Sequence, residues 1–341
     1  MIYKQIKNFI LVLVVILLTT APCSLAGEYA ADFLRIGVGA RAMAMGGAFS
    51  ALANDATAFY WNPAGLSHVR HYALHVDHVP MFDGLAQFNT AHFAMALNKR
   101  MTIGLGWIRH GVDDIPRYGA LPGSRLERLT NTTWRSTGEP EGYFQDSENA
   151  VFFTFSRAEY LDLYFNIGMN QYRIPLEFYA GLSGKYIRHS LDNNSGAGQG
   201  LDAGFILRFV SDKYVDKQAK SWFGIAATAR DLSRTSIAWD TATENKDLVQ
   251  TLWLTGVAGS HLVNLLHTRF TLTCDKEFGF FDDFRYGAEM TSFKILSIRG
   301  GYYRDNFSAG AGIMFKSYAI DYAFISHDLA NTHRISGYFS F

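Results

Sequence analysis

The sequence predicts an all-β protein: an antiparallel transmembrane β-barrel of about fourteen strands, with an N-terminal plug segment in its lumen. Three observations lead there. After residue 70, segments of about ten residues repeatedly alternate apolar with small or polar side chains. The chain is 48% hydrophobic and 15% aromatic but only 18% charged, whereas an ordinary soluble domain carries about 25% charged residues. Beyond its start there is no run of the ~20 apolar residues that a spanning helix needs.

The first residues read as a secretory signal. Lys4 and Lys7 give a positive start, Ile10 to Leu18 is an unbroken apolar run, and Ser24-Leu25-Ala26 offers small residues for cleavage after Ala26. Cys23 follows Pro22, where a lipidation signal would carry a small residue. The expected division is a signal peptide over 1–26, a plug over 27–70 and a barrel over 71–341. The 31 basic residues balance 31 acidic ones, so no polyanion partner is implied and nucleic acid is excluded. Only Cys274 remains after cleavage, which rules out an intrachain disulfide and a cysteine metal cluster.

The alternation is cleanest in the C-terminal half. Phe270, Leu272 and Cys274 share one face, with Arg269, Thr271, Thr273 and Asp275 on the other. Tyr318, Ile320, Tyr322 and Phe324 alternate with Ala319, Asp321 and Ala323, and Leu201 to Phe209 repeats the pattern. Strands are expected near 71–79, 86–97, 101–110, 148–157, 177–190, 200–210, 221–230, 250–260, 267–275, 284–293, 295–304, 306–315, 317–325 and 332–341. The segment 161–170 also alternates. Counting it would break the even parity of bacterial barrels, so 158–176 is read as one connection, with room for a short amphipathic helix. Asn98-Lys99-Arg100, Phe293-Lys294 and Lys316-Ser317 are then tight periplasmic turns, and 111–147, 191–199, 231–249 and 326–331 are outer loops. Tyr302, Tyr303, Tyr318 and Tyr338 sit at segment ends, as interfacial aromatics do. The chain ends on Tyr338, Phe339 and Phe341, read as a C-terminal assembly signal that engages the barrel-assembly machinery.

Residues 27–67 are rich in Ala, Gly and Met and lack strand alternation. Small residues suit a segment threaded through a narrow barrel, where backbones approach closely. Pro63 disfavours helix at Asn62 and favours a turn there. The pieces Gly37-Val38-Gly39-Ala40-Arg41-Ala42, Met45-Gly46-Gly47-Ala48, Asn54-Asp55-Ala56 and Trp61-Asn62-Pro63-Ala64-Gly65-Leu66 follow in close order. They resemble the N-terminal motif of the PorV/PorQ family of outer-membrane proteins, within the wider superfamily of the fatty-acid channel FadL. The resemblance extends to Gly184-Lys185-Tyr186-Ile187, Arg299-Gly300-Gly301-Tyr302 and Asp321-Tyr322-Ala323-Phe324. It implies a fourteen-strand barrel in the outer membrane, plugged by its N-terminal segment. It also implies an accessory or binding role in type IX protein secretion, with exported proteins or secretion components as partners. The alternative is a FadL-like channel for hydrophobic small molecules such as long-chain fatty acids.

Lys185, Asp202, Arg208, Arg269, Asp275, Glu289, Arg299 and Asp321 are expected to face the lumen. They are either a salt-bridged interior that holds the plug or a lining that selects a solute. Gly37 to Ala42 mimics a dinucleotide fingerprint but lacks the preceding strand and βαβ unit that the fingerprint needs. His68, His71, His75 and His78 form a conspicuous cluster. On a strand, His71 and His75 lie about 13 Å apart, too far to share an ion, so no metal and no cofactor is assigned. A G-x-S-x-G motif is absent and no catalytic residue is assigned.

Overall fold

The computed structural model describes residues 31–341 apart from 135–137, 168, 212–213, 216–217, 242–244, 280 and 328–330. The signal-peptide reading therefore falls outside the described residues. Fourteen strands form the barrel: β1 (Tyr72–Met81), β2 (Ala86–Ala96), β3 (Met101–Arg117), β4 (Gly142–Ile167), β5 (Asn170–Leu191), β6 (Asn194–Val210) and β7 (Ser221–Arg230), followed by β8 (Leu252–Val263), β9 (Thr268–Phe278), β10 (Phe284–Ser292), β11 (Leu296–Tyr303), β12 (Asn306–Phe315), β13 (Tyr318–Ile325) and β14 (Thr332–Ser340). Each is antiparallel to its sequence neighbour. The ring closes where β1 pairs with β14, from Ala73↔Ser340 to His78↔Ile335. Two further short strands, Ser236–Trp239 and Lys246–Leu248, form a hairpin laid on the end of β6.

Closure pairs each of the fourteen wall strands on both sides, so among the described residues the wall does not depend on lipid to satisfy its backbone. The period of two does the rest. In β1 alternate residues are buried, with Ala73, His75, Asp77 and Val79 inward and Leu74 and Val76 40% and 46% exposed. Leu272, Ile298, Ile320 and Ile335 continue this outer apolar face, each at least 60% exposed. Apolar side chains this open around a closed ring form the lipid-facing belt of a membrane barrel, and the chain resides in a bacterial outer membrane. Among the described residues no helix is long and apolar enough to cross a membrane.

The strands run past the expected ends, and three readings change with them. The connection 158–176 is neither loop nor helix. β4 continues to Ile167 and pairs with β5 from Ile167↔Asn170 onward. β3 begins opposite Arg157, and β6 reaches β5 only to Leu176, so 158–167 and 170–175 form a two-stranded ribbon beyond the rim. Parity survives because the ribbon prolongs two wall strands and adds none. The outer loop expected over 111–147 shrinks, since β3 reaches Arg117 and β4 begins at Gly142. The expected loop 191–199 is a tight turn at Asp192 and Asn193.

The ends of the barrel are distinguishable. Short turns at 97–100, 293–295 and 316–317 share one end with the start of β1, the end of β14 and the ribbon. The long connections 118–141, 231–251 and 326–331 share the other. Short turns are periplasmic and long loops external in such barrels.

Candidate functional site: a filled lumen and an arginine-lined outer vestibule

Residues 31–69 touch strands all round the ring, which only a segment inside it can do. Ala40 N donates to Ser336 Oγ on β14 (2.6 Å) and Gly39 N to Asp77 Oδ2 on β1 (3.1 Å). Gly46 N donates to Ser308 Oγ on β12 (3.0 Å). Phe49 N and Ser50 N both donate to Asp275 Oδ2 on β9, at 2.9 and 2.8 Å. Asn62 Nδ2 donates to Phe205 O on β6 (3.1 Å), and Ser67 bonds Ser156 on β4 (2.6 Å). The segment pairs much of its backbone within its own short helices and turns, and wall side chains take these further amides.

Its apolar residues make the largest buried core. Met45, Phe49, Leu52, Phe59, Trp61 and Leu66 are fully buried against Phe88, Ile108, Phe152 and Ile187 of the wall. Trp61 Nε1 donates to Val38 O (2.9 Å) and Tyr60 Oη to Leu34 O (2.7 Å), folding the segment on itself. Asn62 is extended (φ −158°), and its side chain accepts from Ala64 N ahead of the 3-10 turn Pro63–His68. Gly37 and Gly39 take positive φ before a four-residue helix, Ala40–Met43. Gly46 lies against the wall so closely that a Cβ on Gly301 would sit 2.1 Å from its nitrogen.

The charges named from sequence fall into separate clusters. Arg41 of the inner segment clasps Glu289 through Nε (2.8 Å) and Nη2 (2.9 Å) and reaches Asn54 and Asp55 through Nη1. Burial opposes the Arg41 charge, but Glu289 and Asp55 outweigh it and raise its pKa further. Glu289 also accepts from Arg299 Nε (2.7 Å), and Arg299 Nη1 donates to Asp321 (2.6 Å). Lys185 bridges Asp202 (2.9 Å) and Asp231 (2.8 Å). Arg208 donates to His68 Nε2 (2.6 Å) while His68 Nδ1 bonds Gly65 O (3.0 Å). Burial, then the Arg208 charge, holds the His68 pKa well below its ordinary value, so the ring is neutral. Arg269 stands apart near the periplasmic rim, on Ser260 Oγ (3.1 Å).

Of the four tyrosines read as interfacial, Tyr302 and Tyr318 face outward, 44% and 61% exposed. Tyr303 and Tyr338 do not. Tyr303 Oη donates to Glu277 Oε2 inside the barrel (3.0 Å), and Tyr338 packs on the inner core. Both sit on inward positions of their strands, which proximity to a segment end does not reveal. Phe339 and Phe341 stack in a row with Tyr318 and Tyr72 across the closing seam, with ring centroids 4.6 to 5.1 Å apart.

Above the filled lumen, at the long-loop end, lies a vestibule of about 310 Å³. Its floor is the inner segment, at Arg35, Ile36, Met43 and Tyr60, and its sides are Met81, Leu252, Phe281 and Ile325. Arg230, Arg285, Arg304 and Arg334 also line it, against the single carboxylate of Glu277. Glu277 pairs with Arg285, and Arg304 stands 3.5 Å from Asp283. Arg334 donates to the carbonyls of Gly37 (2.8 Å) and Ile36 (2.7 Å). Arg230 lies over the Tyr60 ring at 4.1 Å, and its Nε and Nη2, both buried, have no hydrogen-bond partner among the described residues. None of these arginines was singled out from sequence. They come from three strands and a turn, and the curvature of the barrel wall gathers them at one rim.

No family profile and no curated protein matches this sequence. Solved structures match it in outline. The toluene transporter TbuX of Ralstonia pickettii is 14% identical, over 89% of this chain and 98% of that one, with a TM-score of 0.45. The toluene transporter TodX of Pseudomonas putida is 11% identical, over 89% and 96%, with a TM-score of 0.46. A FadL homologue of Pseudomonas aeruginosa is 12% identical, over 94% and 100%, with a TM-score of 0.34.

Proposed function

We propose that this barrel takes up small amphipathic molecules with an apolar body and an acidic head, long-chain fatty acids being the model case. The observation that carries the reading is the vestibule. Its size falls at the lower end of small-molecule sites. It opens toward the external loops, offers apolar side chains for a hydrocarbon, and holds the unpaired Nε and Nη2 of Arg230 for a carboxylate. A guanidinium fork matches a carboxylate in charge and geometry. Residues 31–69 serve as the plug. The segment strung between Arg35 and Met43 forms part of the vestibule floor, so inward passage requires that strap to move.

The test is uptake of a labelled C16 fatty acid by cells that depend on this protein. Arg230→Met should cut uptake at least tenfold and leave the amount of assembled barrel unchanged. Uptake equal to wild type would remove the reading.

A second reading has its own observation. The outer connection 118–141 carries Leu121, Leu126 and Leu129 at 42–75% exposure, next to Trp134 at 37%. An apolar loop surface is what a docking site for exported proteins needs, in the manner of a PorV/PorQ-type secretion accessory. Leu126→Ser with Leu129→Ser should then impair surface display of exported proteins while fatty-acid uptake persists.

A further inference from the structure

We infer that His75, Asp77 and His92 form a transition-metal site that fastens the inner segment to the closing seam of the barrel. The three side chains project inward from β1 and β2, where His75 and His92 are direct cross-strand partners. All three are buried, at 3%, 7% and 1% exposure. One ligating atom from each lies within 4.8 Å of the others. His75 Nδ1 is 3.7 Å from Asp77 Oδ2, and His92 Nε2 is 4.0 Å from the same oxygen.

Packing alone leaves this cluster incomplete. The Nδ1 atoms of His75 and His92 are both buried without a hydrogen-bond partner among the described residues. In a tetrahedral set with bonds of about 2.0–2.1 Å, donor atoms stand about 3.3 Å apart. The two measured edges therefore close by about 0.4 and 0.7 Å, which side-chain rotation supplies. His92 Nε2 now bonds Thr90 Oγ1 (2.8 Å), and Thr90 donates to Asp77 Oδ2 (2.5 Å). With its proton on Nδ1, His92 presents the Nε2 lone pair to the metal while Thr90 keeps its bond to Asp77. Water fills the fourth position.

The outer partners that orient a ligating carboxylate are already in place. Asp77 Oδ1 accepts from Ser336 Oγ of β14, and Ser336 in turn accepts from Ala40 N (2.6 Å). Asp77 Oδ2 accepts from Gly39 N (3.1 Å). Two successive amides of the inner segment thus end on one carboxylate, directly and through Ser336. The ion would tie together β1, β2, β14 and that segment. Two imidazoles and a single carboxylate select zinc-like first-row ions over calcium or magnesium, which need more oxygen ligands.

Tag-free, detergent-solubilised barrel, stripped with chelator and dialysed against Co²⁺, should retain one ion per chain. It should show visible ligand-field bands that Zn²⁺ displaces. His75→Gln and His92→Gln should each weaken retention at least 100-fold, while His71→Gln and His78→Gln should not. If the buried variants fail to assemble, X-ray absorption of the Zn²⁺-loaded wild type decides, and it should show two imidazole scatterers. A wild type that holds no stoichiometric ion, a spectrum without imidazole scattering, or full retention by His92→Gln would each overturn the site.

Discussion

Replacing Gly301 by alanine tests how closely the inner segment is seated. The new Cβ would stand 2.1 Å from Gly46 N and 2.2 Å from Met45 C, both of them backbone atoms that no rotamer change can clear. An ordinary contact needs more than a further ångström, so either β11 or the Met45–Gly46 peptide must move. Overpacking of this kind costs about 1–3 kcal/mol. Withdrawing the peptide also strains the bonds Gly46 N to Ser308 Oγ (3.0 Å) and Ser308 Oγ to Ala44 O (3.1 Å), each worth about 1 kcal/mol. The sum is about 3–5 kcal/mol of seating energy. Every 1.4 kcal/mol is tenfold, so the unseated population should rise by at least ~100-fold. Protease cleavage within residues 31–69 of the folded, detergent-held barrel reads that population. Gly184→Ala and Gly259→Ala are the controls, because a Cβ at either meets nothing within 4 Å. Cleavage of Gly301→Ala at the rate of Gly184→Ala would refute the close seating.

Arg41→Met strands Glu289 beside Arg299 alone and should destabilise seating by about 3–5 kcal/mol, as breaking a buried pair does. Arg41→Met with Glu289→Leu should recover part of that loss in the same cleavage assay. His68 has a depressed pKa when folded, so the unfolded segment takes up a proton below about pH 6.5 that the folded one refuses. Seating should therefore hold above pH 6.5 and weaken as the pH falls from there toward 5, and the His68→Gln variant should lack that slope in urea titrations at the two pH values. Cys274 shares its strand face with the exposed Phe270 and Leu272. A membrane-permeant maleimide should label it in intact membranes and a charged one should not; rapid labelling by the charged reagent would reverse the face.

The barrel was legible because lipid and lumen impose opposite chemistry on alternate residues. Asp202, Arg208, Glu289, Arg299 and Asp321 could be given a face from parity alone. Leu161, Asp162, Leu163 and Tyr164 are all exposed in the ribbon; the segment alternates, but an even strand count left it no place as a separate wall strand, and the structure makes it a prolongation of β4 instead. The vestibule was illegible for another reason. Arg230, Arg285 and Arg334 are far apart in the chain and meet only because the barrel wall curves their strand ends toward one rim. His92 is the same case. The histidines from 68 to 78 drew attention by proximity in sequence, yet the partner of His75 lies across a strand pair. Arg41 was noticed in its motif, but its acceptor Glu289 is 248 positions away.

The ribbon has a mechanical consequence. Two strands continuing about eight residues past the rim make a stiff arm about 25 Å long, rooted in β4 and β5. At its root stand Ser156, whose hydroxyl donates to Ala64 O (2.8 Å), and Gly181, whose Cβ position lies 2.3 Å from the carbonyl carbon of Pro63. A sideways load at the tip is thus a torque about the place where the wall grips the inner segment. Whatever pulls on that arm from the periplasm has leverage on the contents of the lumen.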